Sequence, residues 1–163
     1  MEIERKASFS RCKRYRYQLL RRWEGGHGRC VIVGLNPSTA DAQVDDPTVR
    51  RCMGFAQDWG FNELLMVNLF AFRTPHPAHL KKCDSPIGPG NRRALQRACE
   101  SAKRIVVAWG THGTYRNQAV KFASIAREQP LYCFGLSKNH QPLHPLYQRR
   151  DTVLMQYSPA VPR

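Results

Sequence analysis

The residues of this sequence best suited to chemistry lie at the ends of apolar runs. Asn36 and Pro37 follow the run CVIVGL, and Asn68 closes the run LLMV. Because proline lacks a backbone N–H and restricts the residue before it to extended geometry, Pro37 directs Asn36 away from its strand. A side-chain amide donates and accepts hydrogen bonds, and one inside an apolar strand needs a partner. Each has a structural alternative: Asn36 caps a turn, and Asn68 ties its strand to a loop.

Two further apolar runs are also followed by polar residues. IVVAW, residues 105–109, leads into GTHG, and LYCF, residues 131–134, leads into GLSKNHQPLHPLY, which contains His144. In an open parallel sheet, ligands bind outside the carboxyl ends of the strands, where the connecting loops gather. Polar loop residues held by a rigid sheet are common in functional sites. The pattern therefore predicts one site at this end of the sheet, with Asn36, Asn68 and His144 in it.

The elements that hold these residues can be read from periodicity and from end signals. Large and polar side chains alternate over residues 15–23, which is typical of a half-buried strand, and this strand is predicted to form a hairpin with the next across EGGHGR. Asp46 is predicted to cap a helix that begins at Pro47 and runs to about Trp59, with Gly60 as its stop signal. Strands are predicted at 15–23, 30–34, 64–70, 105–109 and 131–134, and helices at 47–59, 91–102 and 115–128.

The alternation of strands and helices predicts an α/β fold. Right-handed crossovers place helices on both faces of a parallel sheet, which gives a three-layer α/β/α sandwich with a mainly parallel central sheet. The N-terminal strand, residues 15–23, is predicted to join this sheet in the antiparallel direction. A length of 163 residues suits one hydrophobic core, so a single domain over residues 1–163 is expected.

Composition narrows the function classes. No apolar run approaches the roughly 20 residues that span a bilayer, and the charged N-terminus lacks the apolar stretch of a secretory signal. A cytoplasmic protein without a membrane partner is expected. Its six scattered cysteines are predicted to be reduced and to pack mostly as small apolar residues.

An excess of positive charge predicts an anionic partner. The chain has 26 Lys and Arg against 12 Asp and Glu, which gives a formal net charge of +14. Nucleic acid, DNA above all, is the predicted partner, because basic side chains that neutralise phosphates release counterions and speed association. A charge that serves solubility alone is the alternative.

Motifs for cofactors are weak. GLNPST lacks the Gly-Lys-Ser/Thr ending of a phosphate-binding P-loop, and GGHG precedes its strand, whereas a dinucleotide fingerprint would follow one. The close histidine pairs fall in predicted loops, and no acid at a suitable spacing completes a metal site with them. No metal and no cofactor are therefore predicted.

Taken together, the segments resemble the uracil-DNA glycosylase superfamily over about residues 30–147. The shared order is a Gly-x-Asp/Asn-Pro loop, an Asn at the end of the next strand, a Trp-Gly turn and a late His-Pro loop. In this chain these are Gly34 to Pro37, Asn68, Trp109-Gly110 and His144-Pro145. The phrases LNPSTAD, DDPT, NLFAFR and PLHPLY also look like a bacterial and phage family catalogued as a domain of unknown function, number 1643, interpreted as a remote branch of the glycosylase fold.

The resemblance implies that a base is held in a pocket and cleaved from its sugar. Asn36 would position the attacking water, and Asn68 would read the edge of the flipped base. His144 would stabilise the negative charge that develops on the leaving base. Because an amide is a weak base, Asp41 or Asp45 is a candidate for the missing proton acceptor.

Other positions depart from the superfamily pattern. DDPT, with Thr48, replaces the aromatic residue that stacks on the base in related branches, so Phe70 or Phe72 is the candidate platform. Phe72 also stands where the cluster-bearing branches have a cysteine, which argues against an iron–sulfur cluster. The candidate phosphate contacts are Ser38, Thr39, Arg50, Arg51, Arg73 and Lys138.

Two functions are compatible with these features. The first is hydrolysis of an N-glycosidic bond on a damaged or modified base in DNA or in a nucleotide, as in DNA repair or modification. The alternative is a non-catalytic module that binds nucleic acid or a nucleotide at the same end of the sheet. The second function explains why neither a stacking aromatic residue nor a conventional acid is found at the expected positions.

Overall fold

The computed structural model describes residues 1–159. Over these residues the chain forms seven β-strands, four α-helices and two 3₁₀ segments. The strands are β1 (Glu4–Phe9), β2 (Arg16–Arg22), β3 (Arg29–Gly34), β4 (Glu63–Asn68), β5 (Arg104–Val107), β6 (Leu131–Cys133) and β7 (Met155–Tyr157). The helices are α1 (Pro47–Asp58), α2 (Pro77–Lys82), α3 (Asn91–Ser101) and α4 (Gln118–Ala126), and the 3₁₀ segments are Thr111–Asn117 and Pro145–Tyr147.

The strands form one mixed sheet in the order β1-β2-β4-β3-β5-β6-β7. The middle strands β4, β3, β5 and β6 are parallel to one another, whereas β1, β2 and β7 pair antiparallel with the strands beside them. The predicted α/β class is confirmed. The four parallel strands finish at the same end of the sheet, which is called its carboxyl end here.

The predicted hairpin between β2 and β3 was wrong. β2 pairs with β1 on one side and with β4 on the other, so β4 lies between β2 and β3. The physical reason is the apolar character of β4, in which every residue is buried. A strand of this kind is stable between two others and not at an edge, because both of its hydrogen-bonding sides are then covered. β1 was not predicted.

Apolar side chains fill both faces of the sheet. Val31 and Val33 of β3 belong to a core cluster that also contains residues of α3 and α4. Cys30 and Ile32 of the same strand belong to a second cluster with residues of α1. Since alternate residues of a strand point to opposite faces, the helices lie against both sides of the sheet.

The ends of the helices follow local backbone chemistry. Helix α1 begins as predicted, because the Asp46 Oδ1 accepts a hydrogen bond from the Val49 N–H at 2.8 Å. Gly60, with φ of +87°, turns the chain away after the helix ends. Helix α4 was predicted from residue 115 and begins later, because Arg116 and Asn117 have left-handed backbone conformations that interrupt the helix.

Two arginines of β2 are buried. The alternating pattern places Arg16 with the exposed residues, yet Arg16 is 2% and Arg21 0% exposed. Arg21 donates to the Asp45 carboxylate at 2.8 Å and to the carbonyl oxygens of Asp41 at 2.7 Å and Leu20 at 2.9 Å. Arg21 therefore holds the loop that precedes α1.

Three global properties bear on function. The six cysteines are free. Among the described residues, no helix has the length and apolarity needed to cross a membrane. Within residues 1–159, no group of three or more His, Cys, Asp or Glu side chains is arranged to hold a metal ion.

Candidate functional site

A cavity of about 540 Å³ lies at the carboxyl end of the sheet. Its lining includes Gly34 and Asn68, which are the last residues of β3 and β4, and the turn that follows β5. Loops from other parts of the chain contribute Asn36, Thr74 and His144. The three polar residues predicted to share a site therefore line one cavity, called the strand-end cavity here. Its volume is in the range typical of small-molecule sites.

Asn36 is half-buried in the cavity wall, and its amide nitrogen holds a neighbouring loop. Nδ2 donates to the carbonyl oxygens of Thr74 at 2.8 Å and Pro37 at 3.1 Å, with a longer contact to that of Phe72 at 3.4 Å. The Thr74 N–H in turn donates to the Pro37 carbonyl at 2.9 Å. The amide nitrogen is thus used by the fold, and Oδ1 is the atom left to accept a hydrogen bond from water or a ligand.

Asn68 ends β4 directly opposite Gly34. It is 3% exposed, and its Nδ2 has no hydrogen-bond partner among residues 1–159. Its backbone is held separately, because the Asn91 side chain donates to the carbonyl oxygens of Asn68 and Leu69 at 2.9 and 3.0 Å. An unpaired buried donor costs about 1–3 kcal/mol. This donor has already lost its water, and a ligand oxygen would satisfy it once the side-chain amide turns toward the cavity.

Replacing Gly34 by Ala is expected to displace the Asn68 side chain. A Cβ at residue 34 would lie 2.8 Å from the Asn68 Oδ1, so one of the two groups must move. Overpacking of this kind lowers the free energy of unfolding by ~1–3 kcal/mol, which urea unfolding measures. Gly54→Ala is the matched control, because beyond its own stretch of helix no atom lies within 4 Å of the added Cβ and alanine favours a helix interior. A Gly34→Ala protein as stable as wild type would contradict this prediction.

His144 caps the 3₁₀ segment Pro145–Tyr147 with its own ring. Nδ1 accepts a hydrogen bond from the Leu146 N–H at 3.2 Å, so the proton of the neutral ring lies on Nε2. Burial lowers the pKa of His144 from its ordinary value of 6.5, and the charge of Asp46 opposes that shift. At neutral pH the ring is therefore uncharged and offers one N–H donor from Nε2.

The lowered pKa of His144 predicts a loss of stability at mildly acid pH. The unfolded chain binds this proton near pH 6.5, whereas the folded ring binds it only at lower pH. Stability from this group is complete above pH 6.5 and is lost as the pH falls through the folded pKa. His144→Gln is expected to weaken the decline in unfolding free energy between about pH 7.5 and about pH 5.5, measured by urea unfolding. Identical declines in both proteins would contradict this account.

Hydrogen bonds between loops fix another wall of the cavity. Trp109 Nε1 donates to Gln141 Oε1 at 3.1 Å, and the Gly110 N–H donates to the Pro142 carbonyl at 2.8 Å. Gly113 lies so close to the Trp109 ring that a Cβ would overlap it. The two hydrogen bonds join the turn after β5 to the loop that carries His144.

The acids proposed as proton acceptors lie outside the strand-end cavity. Asp41 is absent from its lining. The Asp41 Oδ1 accepts hydrogen bonds from the backbone N–H groups of Val44 at 2.7 Å and Gln43 at 2.8 Å, which lower the pKa of this carboxyl group. The Asp45 carboxylate is paired with two arginines, each at 2.8 Å. Both acids therefore hold the loop before α1 together.

The two phenylalanines predicted to stack on a base are also outside this lining. Phe70 is fully buried in the core, and Phe72 lines a separate cavity of about 460 Å³. The aromatic residues that do line the strand-end cavity are Trp109, 1% exposed, and Tyr147, 84% exposed. Tyr147 consequently offers a free ring face at the cavity, beyond the residues that sequence reasoning selected.

One of the predicted phosphate contacts, Ser38, lines the strand-end cavity. Arg51 reaches the cavity wall indirectly, because it donates to the carbonyl oxygen of Gln148, which belongs to the lining. The Arg73 guanidinium lies over an aromatic ring of β1, 4.6 Å from its centre. The predicted contacts that are not part of this lining are Thr39, Arg50, Arg51, Arg73 and Lys138.

Two charged residues of the lining, Arg16 and Asp46, were not predicted as site residues. Asp46 is the acidic residue of this lining, and its charge acts on both His144 and Arg16. Burial lowers the pKa of Arg16 to about 10. Asp46 was assigned to helix capping, which is correct but incomplete. Nothing in the sequence distinguishes Arg16 from the other arginines.

Comparison with known proteins places most of the chain in one family. The family model described as "Protein of unknown function (DUF1643)" matches residues 16–146. The matched segment runs from Arg16 past His144 and so includes the polar residues of the cavity described above. No curated protein and no solved structure matches the chain.

Proposed function

We propose, on the premise that this chain belongs to the DUF1643 family, that it holds a nucleobase in the strand-end cavity and hydrolyses its N-glycosidic bond. The substrate class is a damaged or modified base in DNA or in a nucleotide. The observation that carries the proposal is that Asn36, Asn68 and His144, from distant parts of the chain, line one cavity. Their available atoms are an acceptor oxygen, a buried donor and an uncharged ring N–H, which match the polar edge of a base.

The proposed reaction needs an oriented water, a proton acceptor and stabilisation of the leaving base. Water attacks the anomeric carbon of the sugar while the bond to the base nitrogen breaks, and the electron pair of that bond leaves with the base. The Asn36 Oδ1 orients the water, and the proton of the water passes to the Asp46 carboxylate. The Nε2–H of His144 donates to the leaving base as its negative charge develops. Asp46 replaces Asp41 and Asp45 as the candidate proton acceptor, because Asp46 lines the cavity and the other two acids do not.

The finer proposal for the fold is a three-layer sandwich like that of the uracil-DNA glycosylases. Helices on both faces of a mainly parallel sheet support it. The Gly-x-Asn-Pro loop and the His-Pro loop also lie at the same cavity, as that resemblance implies. The formal charge of +14 supports an anionic substrate, with DNA as the first nucleic acid to test.

A second candidate is a binding module without turnover. The observation that favours it is the use of Asn36 Nδ2 in holding backbone carbonyls of two loop segments. Asn36 then has a structural role, and the cavity recognises a base without cleaving it. The two functions differ in what the loss of Asn36 does to turnover.

The experiment measures base release and binding separately. Purified protein is incubated with single-stranded and duplex oligonucleotides that carry a panel of damaged or modified bases, and with the matching nucleosides and nucleotides. Released base is measured by liquid chromatography and mass spectrometry. Hydrolysis of at least one substrate by the wild type supports the proposal, and its absence across the whole panel contradicts it.

Asn36→Ala distinguishes the enzyme from the binding module. If the chain is an enzyme, kcat is expected to fall by more than about tenfold beyond any change in Kd. Asn139→Ala is the matched control, because Asn139 is exposed and outside the lining. Thermal melting of both variants separates loss of turnover from loss of fold. Unchanged kcat in a folded Asn36→Ala protein would remove Asn36 from the chemistry.

A further inference from the structure

Arg16 reaches the strand-end cavity because of the direction of its strand. β2 runs antiparallel to β4, so the first residue of β2 lies beside the segment that leaves the end of β4. The Arg16 N–H donates to the Ala71 carbonyl at 2.9 Å, which fixes that position. The side chain lines the cavity and is 2% exposed. The positively charged guanidinium of Arg16 is therefore almost fully buried in the wall of the cavity.

The Arg16 guanidinium is poorly satisfied by the protein itself. Its Nη1 donates to the Ala40 carbonyl at 2.9 Å, and its Nε has no hydrogen-bond partner among residues 1–159. Within the same residues no carboxylate lies within 4.0 Å of it. Arg21, on the same strand and also buried, has a carboxylate and several carbonyl oxygens as partners. The fold can thus pair a buried arginine directly, whereas at Arg16 it supplies one carbonyl partner and only the longer-range charges of Asp46 and Asp41.

Two buried groups of this lining present unused donors. Asn68 Nδ2 and Arg16 Nε both lack partners among residues 1–159, and both residues line the strand-end cavity. Both atoms are themselves buried, so a ligand oxygen that enters the cavity reaches them only when the two side chains turn slightly toward it. Because burial of an unpaired donor or cation is costly, such a contact is favoured. An arginine binds phosphate or carboxylate oxygens through more than one N–H, which makes an anionic group the best match.

We propose that the ligand of the strand-end cavity is a nucleoside monophosphate whose phosphate binds Arg16. This inference rests on the proposed function, which supplies the base, and it selects a free nucleotide over a polynucleotide as the substrate class. The reason is access: at 2% exposure, Arg16 is reached only by a group that enters the cavity, whereas an internal phosphodiester stays in its chain. Asn68 donates to a carbonyl oxygen of the base while Arg16 binds the terminal phosphate.

The test compares nucleosides with their own 5′-monophosphates by isothermal titration calorimetry, for the common and the modified bases. Since hydrogen bonds to a charged group contribute about 1.5–3 kcal/mol, the wild type is expected to bind the best monophosphate ~10–100-fold more tightly than its nucleoside. Arg16→Met is expected to abolish that difference and to retain binding of the nucleoside. Arg97→Met is the matched control, because Arg97 is exposed on α3 and outside the lining.

The melting temperature of Arg16→Met distinguishes a ligand-binding Arg16 from a structural one. Replacing an unpaired buried cation by a residue of similar size is expected to leave the melting temperature unchanged or to raise it. A purely structural Arg16 would give a lower melting temperature and unchanged selectivity for phosphate. If Arg16→Met does not fold, the wild-type comparison decides, together with competition by inorganic phosphate, which is expected to weaken monophosphate binding but not nucleoside binding.

The outcomes separate this inference from the function on which it rests. Equal wild-type affinity for nucleosides and monophosphates overturns the role of Arg16 and leaves base binding in place. Binding of oligonucleotides but of no monophosphate also overturns it. Tight, Arg16-dependent binding of monophosphates without release of any base supports the inference and contradicts hydrolysis.

Discussion

Replacing Asp46 by Asn is expected to lower kcat for base release by ~10²–10⁴-fold, which is the usual contribution of a general base. Asp46 is the acid of the cavity lining, and its Oδ1 also accepts the Val49 N–H at the start of α1. Asparagine caps helices about as well as aspartate, so the substitution removes the proposed proton acceptor while it keeps the cap. Steady-state kinetics measure the first effect, and urea unfolding is expected to detect little change in stability.

Two further variants separate the capping role of Asp46 from its proposed chemical role. Asp46→Ala removes both roles and is expected to cost about 1 kcal/mol of stability in addition to turnover. Asp84→Asn is the control, because Asp84 is exposed and outside the strand-end cavity. Wild-type kcat in the Asp46→Asn protein would exclude Asp46 as the proton acceptor. A second readout needs no substrate: the pKa of His144, which the Asp46 charge raises, is expected to be lower in the variant, as measured by NMR titration.

Arg21→Met is expected to lower the free energy of unfolding by about 2.5–6 kcal/mol. The lost hydrogen bond to the Asp45 carboxylate, which keeps Arg5 as a partner at 2.8 Å, accounts for about 1.5–3 kcal/mol, and the buried Asp41 carbonyl left unpaired accounts for about 1–3 kcal/mol. Arg21 is 0% exposed and donates to the Asp45 carboxylate at 2.8 Å. It also donates to the carbonyl oxygen of Asp41 at 2.7 Å, and its loss leaves that acceptor without this partner. Urea unfolding followed by circular dichroism measures the loss.

The neighbouring arginines of β2 serve as references for this measurement. Arg22 has a side chain that is 45% exposed and pairs with Glu4 and Glu63, so Arg22→Met is expected to cost about 0–1 kcal/mol. Glu63 keeps its contact with Arg29 at 2.8 Å in that variant. A stability of Arg21→Met within 1 kcal/mol of the Arg22→Met value would show that the loop before α1 is held by other contacts.

The elements that could be predicted from the sequence are those that local chemistry determines. Helix α1 is one, because an N-cap aspartate, a proline in the first turn and a following glycine mark its ends. Pairing of β2 with β4 could not be predicted, because it depends on a strand about forty residues away that needs covering on both sides. The start of α4 was misplaced because the left-handed backbone at Arg116 and Asn117 has no clear signal in those residue types.

The same distinction holds for the candidate site. Asn36, Asn68 and His144 stand out because each is a polar residue at the end of an apolar strand or beside a proline, and all three line the cavity. Arg16 has no such signal, because one arginine among 26 basic residues is ordinary and its burial follows from tertiary packing. Asp46 was expected beside the pocket and was assigned to capping α1, while the chemical role was given to Asp41 or Asp45; the structure shows the cap and also places Asp46 in the lining.

The hydrogen bonds between the loops bear on the entropy cost of binding a ligand in the strand-end cavity. The Asn36 amide to Thr74, and the Trp109 indole to Gln141, are made within the folded chain itself. The entropy of ordering these walls is therefore lost once, during folding, and not again when a ligand arrives. A cavity whose walls are ordered before binding is expected to discriminate by shape, so that one methyl group added to a ligand lowers its affinity.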